Sequence, residues 1–185
     1  MHNHFHHRSI IVGEVFASDH PSIVTTVLGS CVAACLFDPI AKIGGMNHFM
    51  LPQAKRESTS AAYGIHAMEL LINKIMSLGG DRRRFKAKVF GGGNVLDLRA
   101  EGFQVGTRNV AFVHQFLADE GIELVAERVG GNQGVKICFY TDTGKVLLKP
   151  VANRQMNDMI RQEVQSLREP NQTAAQAAGA VTLFD

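Results

Sequence analysis

Three residues in the first third of the chain have the types and spacing for covalent chemistry: Cys31, which follows Gly29-Ser30, then His48, and Thr25 upstream. A thiol is a weak nucleophile near its free pKa of about 8.5, and an imidazole able to take its proton removes that limitation. The segment VTTVLGSCVAACLFDPIAKIGGMNHFMLP, residues 24–52, reads as two apolar strand-like runs divided by Asp38-Pro39, which is the pattern of a hairpin. If Pro39 and Ile40 are the central turn residues, Cys31 lies directly opposite His48, with Cβ atoms about 5 Å apart on one face of the sheet. Thr25 stands six residues before Cys31, so in an extended chain the two share a face and Thr26 projects the other way. Thr25 is therefore the candidate hydroxyl to orient His48. Gly29 and Ser30 form a small-residue turn where backbone amides can converge on an oxyanion, and Asn47 beside His48 is a further candidate for oxyanion or substrate positioning.

The remaining chemistry-bearing residues read more plainly. A buried cysteine is a common core residue and a lone strand histidine is often only hydrogen bonded, so Cys35 and Cys138, both in apolar runs, are expected in the core. His66 and His114 fall inside helical segments and do not displace His48 as base. The GGGN at 91–94 lacks the Lys-Ser/Thr of a phosphate loop and the GxGxxG of a dinucleotide site, so tight turns account for it. No paired carboxylates and no metal-ligand spacing stand out, and the histidines at 2, 4, 6 and 7 sit on a terminus without fixed geometry. Neither a cofactor nor a metal is expected.

The elements that must position these groups follow from periodicity. Apolar residues at helical spacing over 61–78, stopped by Gly79-Gly80, predict one helix, and Thr107 or Asn109 is expected to cap a second that runs to Glu120. FKAKVF, IELVAERV, VKICFYT and KVLLKPV alternate as strands, the last three expected as a meander. Residues 153–168 read as a polar amphipathic helix, and NQTAAQAAGA beyond Pro170 is low in complexity. The expected organisation is a flexible His-rich start (1–9), one domain (10–169) and a loose tail (170–185).

With 185 residues, 45% of them hydrophobic, and a net charge of +2, the chain has the balance of a globular domain. No run approaches the roughly 20 apolar residues needed to cross a bilayer, and residues 1–9 lack the apolar stretch of a secretory signal, so a cytoplasmic protein without membrane insertion is expected. Three cysteines suit reduced thiols rather than a disulfide framework. The basic run Arg82, Arg83, Arg84, Lys86 and Lys88 has no adjoining aromatics for base stacking, which argues against nucleic acid.

LGSCVAACLFDP followed by GGMNHFMLP, together with KVFGGGNVL, GTRNVAFVHQFL and GGNQGVKICFYTDTGKVLLKPV, resembles the CheD family of chemoreceptor glutamine deamidases over roughly residues 10–151. The resemblance implies an α+β fold, a four-layer α/β/β/α sandwich with mixed sheets, similar to the catalytic domain of deamidating bacterial toxins. It implies a protein-glutamine glutaminase whose catalytic Cys, His and Thr fall on Cys31, His48 and Thr25. It also implies partners: methyl-accepting chemotaxis receptors as substrate and a CheC-type phosphatase. A non-catalytic adaptor that binds receptors or the phosphatase is the alternative from another class.

Overall fold

A computed structural model describes residues 5–52, 57–95 and 102–151, with Arg161 and Gln165. The strands are β1 (His6–Ser9), β2 (Val15–Ser18), β3 (Ser22–Leu28), β4 (Val32–Asp38), β5 (Ile43–Asn47), β6 (Lys86–Gly91), β7 (Glu123–Val129), β8 (Val135–Tyr140) and β9 (Val146–Pro150). Two helices, α1 (Glu57–Ser77) and α2 (Gly102–Asp119), separate β5 from β6 and β6 from β7.

The strands form two mixed sheets, one in the order β1-β3-β8-β9 and the other β2-β5-β4-β6-β7. Both helices pack on the five-stranded sheet. One core lies between that sheet and the helices, built from Val32, Ala34, Leu36, Met68, Leu71, Ile72, Ile75, Val113 and Phe116. The second lies between the sheets, with Val24, Leu28, Ala33, Met46, Ile137 and Phe139. β4 is buried on both faces because it serves both cores, which is why its sequence is a continuous apolar run rather than an alternating one. No described helix is long and apolar enough to cross a membrane. The helix expected over 153–168, and the tail after it, lie outside the described residues, except that Arg161 and Gln165 are helical.

Several expectations need correction. His6–Ser9 form β1, parallel to β3, so the flexible start does not extend to residue 9. The meander over 122–151 does not form: β7 joins the five-stranded sheet beside β6, while β8 and β9 pair in the other sheet. The 130–134 segment carries the chain across, and a short linker by itself does not say which sheet the next strand joins. Helix α2 begins upstream of Thr107, which places Asn109 inside the helix and not at its cap.

The hairpin turn is longer than expected as well. Asp38 pairs with Ile43, so Pro39, Ile40, Ala41 and Lys42 form the loop, with Lys42 at a positive φ of 57°. Asp38 holds this loop: its carboxylate accepts from the amides of Ile40 (2.9 Å), Ala41 (3.0 Å) and Asp81 (2.9 Å), and from Arg84. The run of basic residues is consumed in similar contacts, Arg82 with Glu69 and Glu120, Arg83 with Asp81, and Lys86 with Glu123.

Candidate active site

Cys31 sits where the chain leaves one sheet and enters the other. β3 ends at Leu28, Gly29 and Ser30 turn, and β4 begins at Val32. All three carbonyl oxygens of this corner are held. Gly93 N donates to Gly29 O (2.7 Å), Asn109 Nδ2 to Ser30 O (2.8 Å), and Gly92 N to Cys31 O (2.7 Å). Gly91 must be glycine, since its φ is 100° and a Cβ there would collide with the Cys31 carbonyl. GGGN thus does more than turn: it clamps the corner that presents the thiol.

His48 follows β5 directly. Val32 and Phe49 pair across the two strands, which shifts the register by two residues from the expected one. An even shift preserves the face. His48 and Cys31 therefore both project toward the inter-sheet space, but as diagonal neighbours, with Cα atoms on the order of 7 Å apart rather than directly opposed. Cys31 is fully buried and His48 is 4% exposed.

The hydroxyl that meets His48 belongs to Thr26, not Thr25. Thr26 Oγ1 lies 2.8 Å from His48 Nδ1 and donates to the Ile10 carbonyl at 2.7 Å. Thr26 is 3% exposed, whereas Thr25 is half-buried on the other face of its sheet. The expectation failed because the six-residue count from Thr25 to Cys31 runs through the corner at 29–31, where strand alternation stops, and the two residues belong to different sheets.

This arrangement assigns the imidazole tautomer. A hydroxyl has one proton, and Thr26 gives its proton to a carbonyl that can only accept. The Nδ1 must then carry a hydrogen and donate to Thr26 Oγ1, which leaves the lone pair on Nε2. That Nε2 is buried and has no hydrogen-bond partner. Burial lowers the His48 pKa to about 3, so the resting imidazole is neutral. A standing thiolate–imidazolium pair is disfavoured for the same reason, and a neutral imidazole in this tautomer can accept a proton at Nε2.

The other candidates divide. Asn47 does not face the thiol. Its Oδ1 accepts from Ala34 N (3.0 Å), and its Nδ2 donates to Ala67 O (3.1 Å) and to Met68 Sδ (3.4 Å), so it ties β4 and β5 to α1 and both of its amide hydrogens are engaged. Gly29 and Ser30 lead into the thiol, both buried. Cys35 is core, with its thiol pKa raised by burial, and Cys138 is half-buried on β8. No group of three or more potential metal ligands occurs among the described residues.

Two further parts were not anticipated. Asn109 is fully buried; besides donating to Ser30 O, its Oδ1 accepts from Leu51 N (2.9 Å), so one amide joins the segments bearing Cys31 and His48. A polar residue amid the apolar stripe of Val105, Phe112, Val113 and Phe116 was the available signal. The loop before β2 is the other part. Gly13 N donates to His48 O (2.7 Å) and His48 N to Glu14 O (3.0 Å), while Ile10 N donates to Thr25 O (2.9 Å). Residues 10–14 therefore bind β3 and the His48 segment together. A cavity of about 270 Å³ opens beside His48, lined by Glu14, Val15, Tyr63, His66 and Leu70 among others.

Comparison with known proteins relates the chain to one family. The family described as CheD, chemotactic sensory transduction, matches residues 50–150. The chain is 44% identical to the probable chemoreceptor glutamine deamidase CheD of Laribacter hongkongensis, covering 86% of this chain and 79% of that protein. It is 42% identical to a probable chemoreceptor glutamine deamidase CheD 1 of Burkholderia thailandensis over 98% of this chain and 81% of the other. A Stenotrophomonas maltophilia protein of the same description is 44% identical, over 90% and 83%. Among solved structures, the Bacillus licheniformis hypothetical protein YfiH overlaps with a TM-score of 0.41 and 17% identity, over 61% of this chain and 49% of that one, too weakly to bear on the fold.

Proposed function

The chain belongs to the CheD family, and from this premise we propose that it converts glutamine side chains of chemoreceptors to glutamate with Cys31 as nucleophile, His48 as base and Thr26 as the hydroxyl that orients the imidazole. The observation that carries this assignment is the Nε2 lone pair of His48, buried without a partner and directed by Thr26 through Nδ1. A neutral imidazole fixed in that tautomer is what removal of a thiol proton requires.

The reaction balances with these groups and water. As Cys31 Sγ bonds to the carboxamide carbon, its proton passes to His48 Nε2. The proton then goes to the carboxamide nitrogen, the C–N bond breaks, and ammonia leaves a thioester. Water attacks the thioester carbon, His48 takes the water proton, the C–S bond breaks, and the proton returns to sulfur, which frees glutamate. In this reading the backbone at Gly29, Ser30 and Cys31, held at its three carbonyls, positions the substrate carbonyl. Asn47 has no part in it.

The receptor's cytoplasmic helices are the substrate in this reading, which places the enzyme in the cytoplasm, and a CheC-type phosphatase is a second partner. A further layer on the outer face of the four-stranded sheet is proposed to complete four layers. Half-burial of Ile23, Thr25, Val27, Lys136 and Cys138 on that face supports a cover.

Mass spectrometry of a receptor cytoplasmic fragment after incubation with wild type and with Cys31→Ala tests the proposal. Glutamine-to-glutamate conversion by wild type alone is expected. Conversion by Cys31→Ala at the wild-type rate would remove Cys31 from the mechanism, and binding without conversion by either protein would favour an adaptor.

A further inference from the structure

A glutamine carboxamide presents an oxygen that only accepts hydrogen bonds, and in the transition state of amide hydrolysis negative charge gathers on that oxygen. The site therefore needs donors directed at it. His48 does not supply one in the resting tautomer, because its Nδ1 hydrogen is held by Thr26 and its Nε2 carries the lone pair.

The cavity beside His48 has such a donor on its far wall. That wall is one stripe of α1: Tyr63, His66, Ala67 and Leu70, spaced so that they face the same way. The opposite stripe, Met68, Leu71, Ile72 and Ile75, is fully buried against the five-stranded sheet. Next to Tyr63, a Cβ on Gly64 would lie 2.7 Å from Leu51 Cδ2 and press on the Phe112 ring, so the helix is in close contact at this turn and cannot rotate. Tyr63 is thereby fixed, half-buried, in the cavity that His48 also lines.

We propose that Tyr63 is a catalytic residue, its phenol donating a hydrogen bond to the carboxamide oxygen of the glutamine, and that the cavity between α1 and the 13–15 segment receives the glutamine side chain. The proposal rests on the reading of Cys31 and His48 as nucleophile and base. Burial, and after it negative charge on Cys31, raise the phenol above its ordinary range. Both causes favour a phenol that stays protonated and acts as a donor.

Tyr63→Phe keeps the ring and removes only the hydroxyl. The expected result is a fall of about 10²-fold in kcat/KM for receptor deamidation, mostly in kcat, as for loss of one transition-state donor. Reaction of Cys31 with methyl methanethiosulfonate, which has no carboxamide, should keep its wild-type rate. Deamidation by Tyr63→Phe within about twofold of wild type would overturn the proposal. So would a parallel loss of thiosulfonate reactivity, which would show the hydroxyl acting through the thiol or the fold. Cys31→Ala is measured alongside: if it stays active, the nucleophile assignment fails; if it is inactive while Tyr63→Phe is normal, only the role of Tyr63 fails.

Discussion

Replacing Thr26 by valine removes one hydroxyl and hardly changes shape, so the consequences can be worked from two contacts. The hydroxyl stands 2.7 Å from the Ile10 carbonyl and 2.8 Å from His48 Nδ1, and Ile10 and His48 are both almost wholly buried. Valine leaves one acceptor and one donor without partners. At about 1–3 kcal/mol for each buried group, less some relaxation of the 10–14 loop, the expected loss of stability is about 2–4 kcal/mol. The kinetic effect has a separate origin: without Thr26 nothing holds the proton on Nδ1, and the imidazole partitions into the tautomer whose Nε2 bears hydrogen and cannot accept the thiol proton. General-base catalysis is worth roughly 10² to 10⁴, which bounds the loss, and a fall in kcat/KM of about 10²-fold is expected. Thr25→Val, on the outer face of the sheet, should change stability by no more than about 0.5 kcal/mol and leave the rate near wild type. Guanidinium unfolding and ammonia release from a receptor fragment measure the two effects. A greater rate loss in Thr25→Val than in Thr26→Val would refute the tautomer argument; a destabilised Thr26→Val with full activity would reduce Thr26 to a brace.

Other predictions follow from the same contacts. Asn109→Leu should be destabilised by about 2–4 kcal/mol, because Ser30 O and Leu51 N both lose a buried partner, and deamidation should fall further than unfolding explains; native stability would contradict the clamp. Asn47→Leu should lose stability, because Ala34 N and Ala67 O both lose a partner; wild-type stability in denaturant unfolding would show that Asn47 does not brace β4 and β5 against α1. His48 holds its neutral form down to about pH 3, so below about pH 6.5 the unfolded chain binds a proton there that the folded chain does not. Stability should fall with acid across that window by up to about 1.4 kcal/mol per pH unit, and His48→Gln should flatten the slope by up to one proton; equal slopes would show that His48 is not buried neutral. Asp38 acts at lower pH in the same direction. Burial raises its pKa, but Arg84 and the amides of Asp81, Ala41 and Ile40 outweigh this and hold it well below the usual carboxylate range. Asp38→Ala should lower stability by about 1–3 kcal/mol in thermal or denaturant unfolding, chiefly because the amides of Ile40, Ala41 and Asp81 lose their acceptor.

Residue type and local spacing were enough to single out the thiol and the imidazole as candidates on one face. Cys31 follows a small-residue corner, and His48 stays on its face under any even shift of the hairpin, so the pair survived a misjudged turn. The turn was misjudged because Lys42 takes a positive φ and Asp38 organises a four-residue loop through its side chain, neither of which apolar patterning records. Helix α1 was legible from its apolar period. Which threonine meets His48 was not, because strand parity is a local rule and the chain changes sheets between Thr26 and Cys31. The contacts that hold the corner, from Gly92, Gly93 and Asn109, come from residues more than sixty positions downstream, and no local pattern encodes a partner at that distance. Local sequence therefore determined which groups could react; the packing of two sheets and a helix decided their tautomer, their register and what holds them in place.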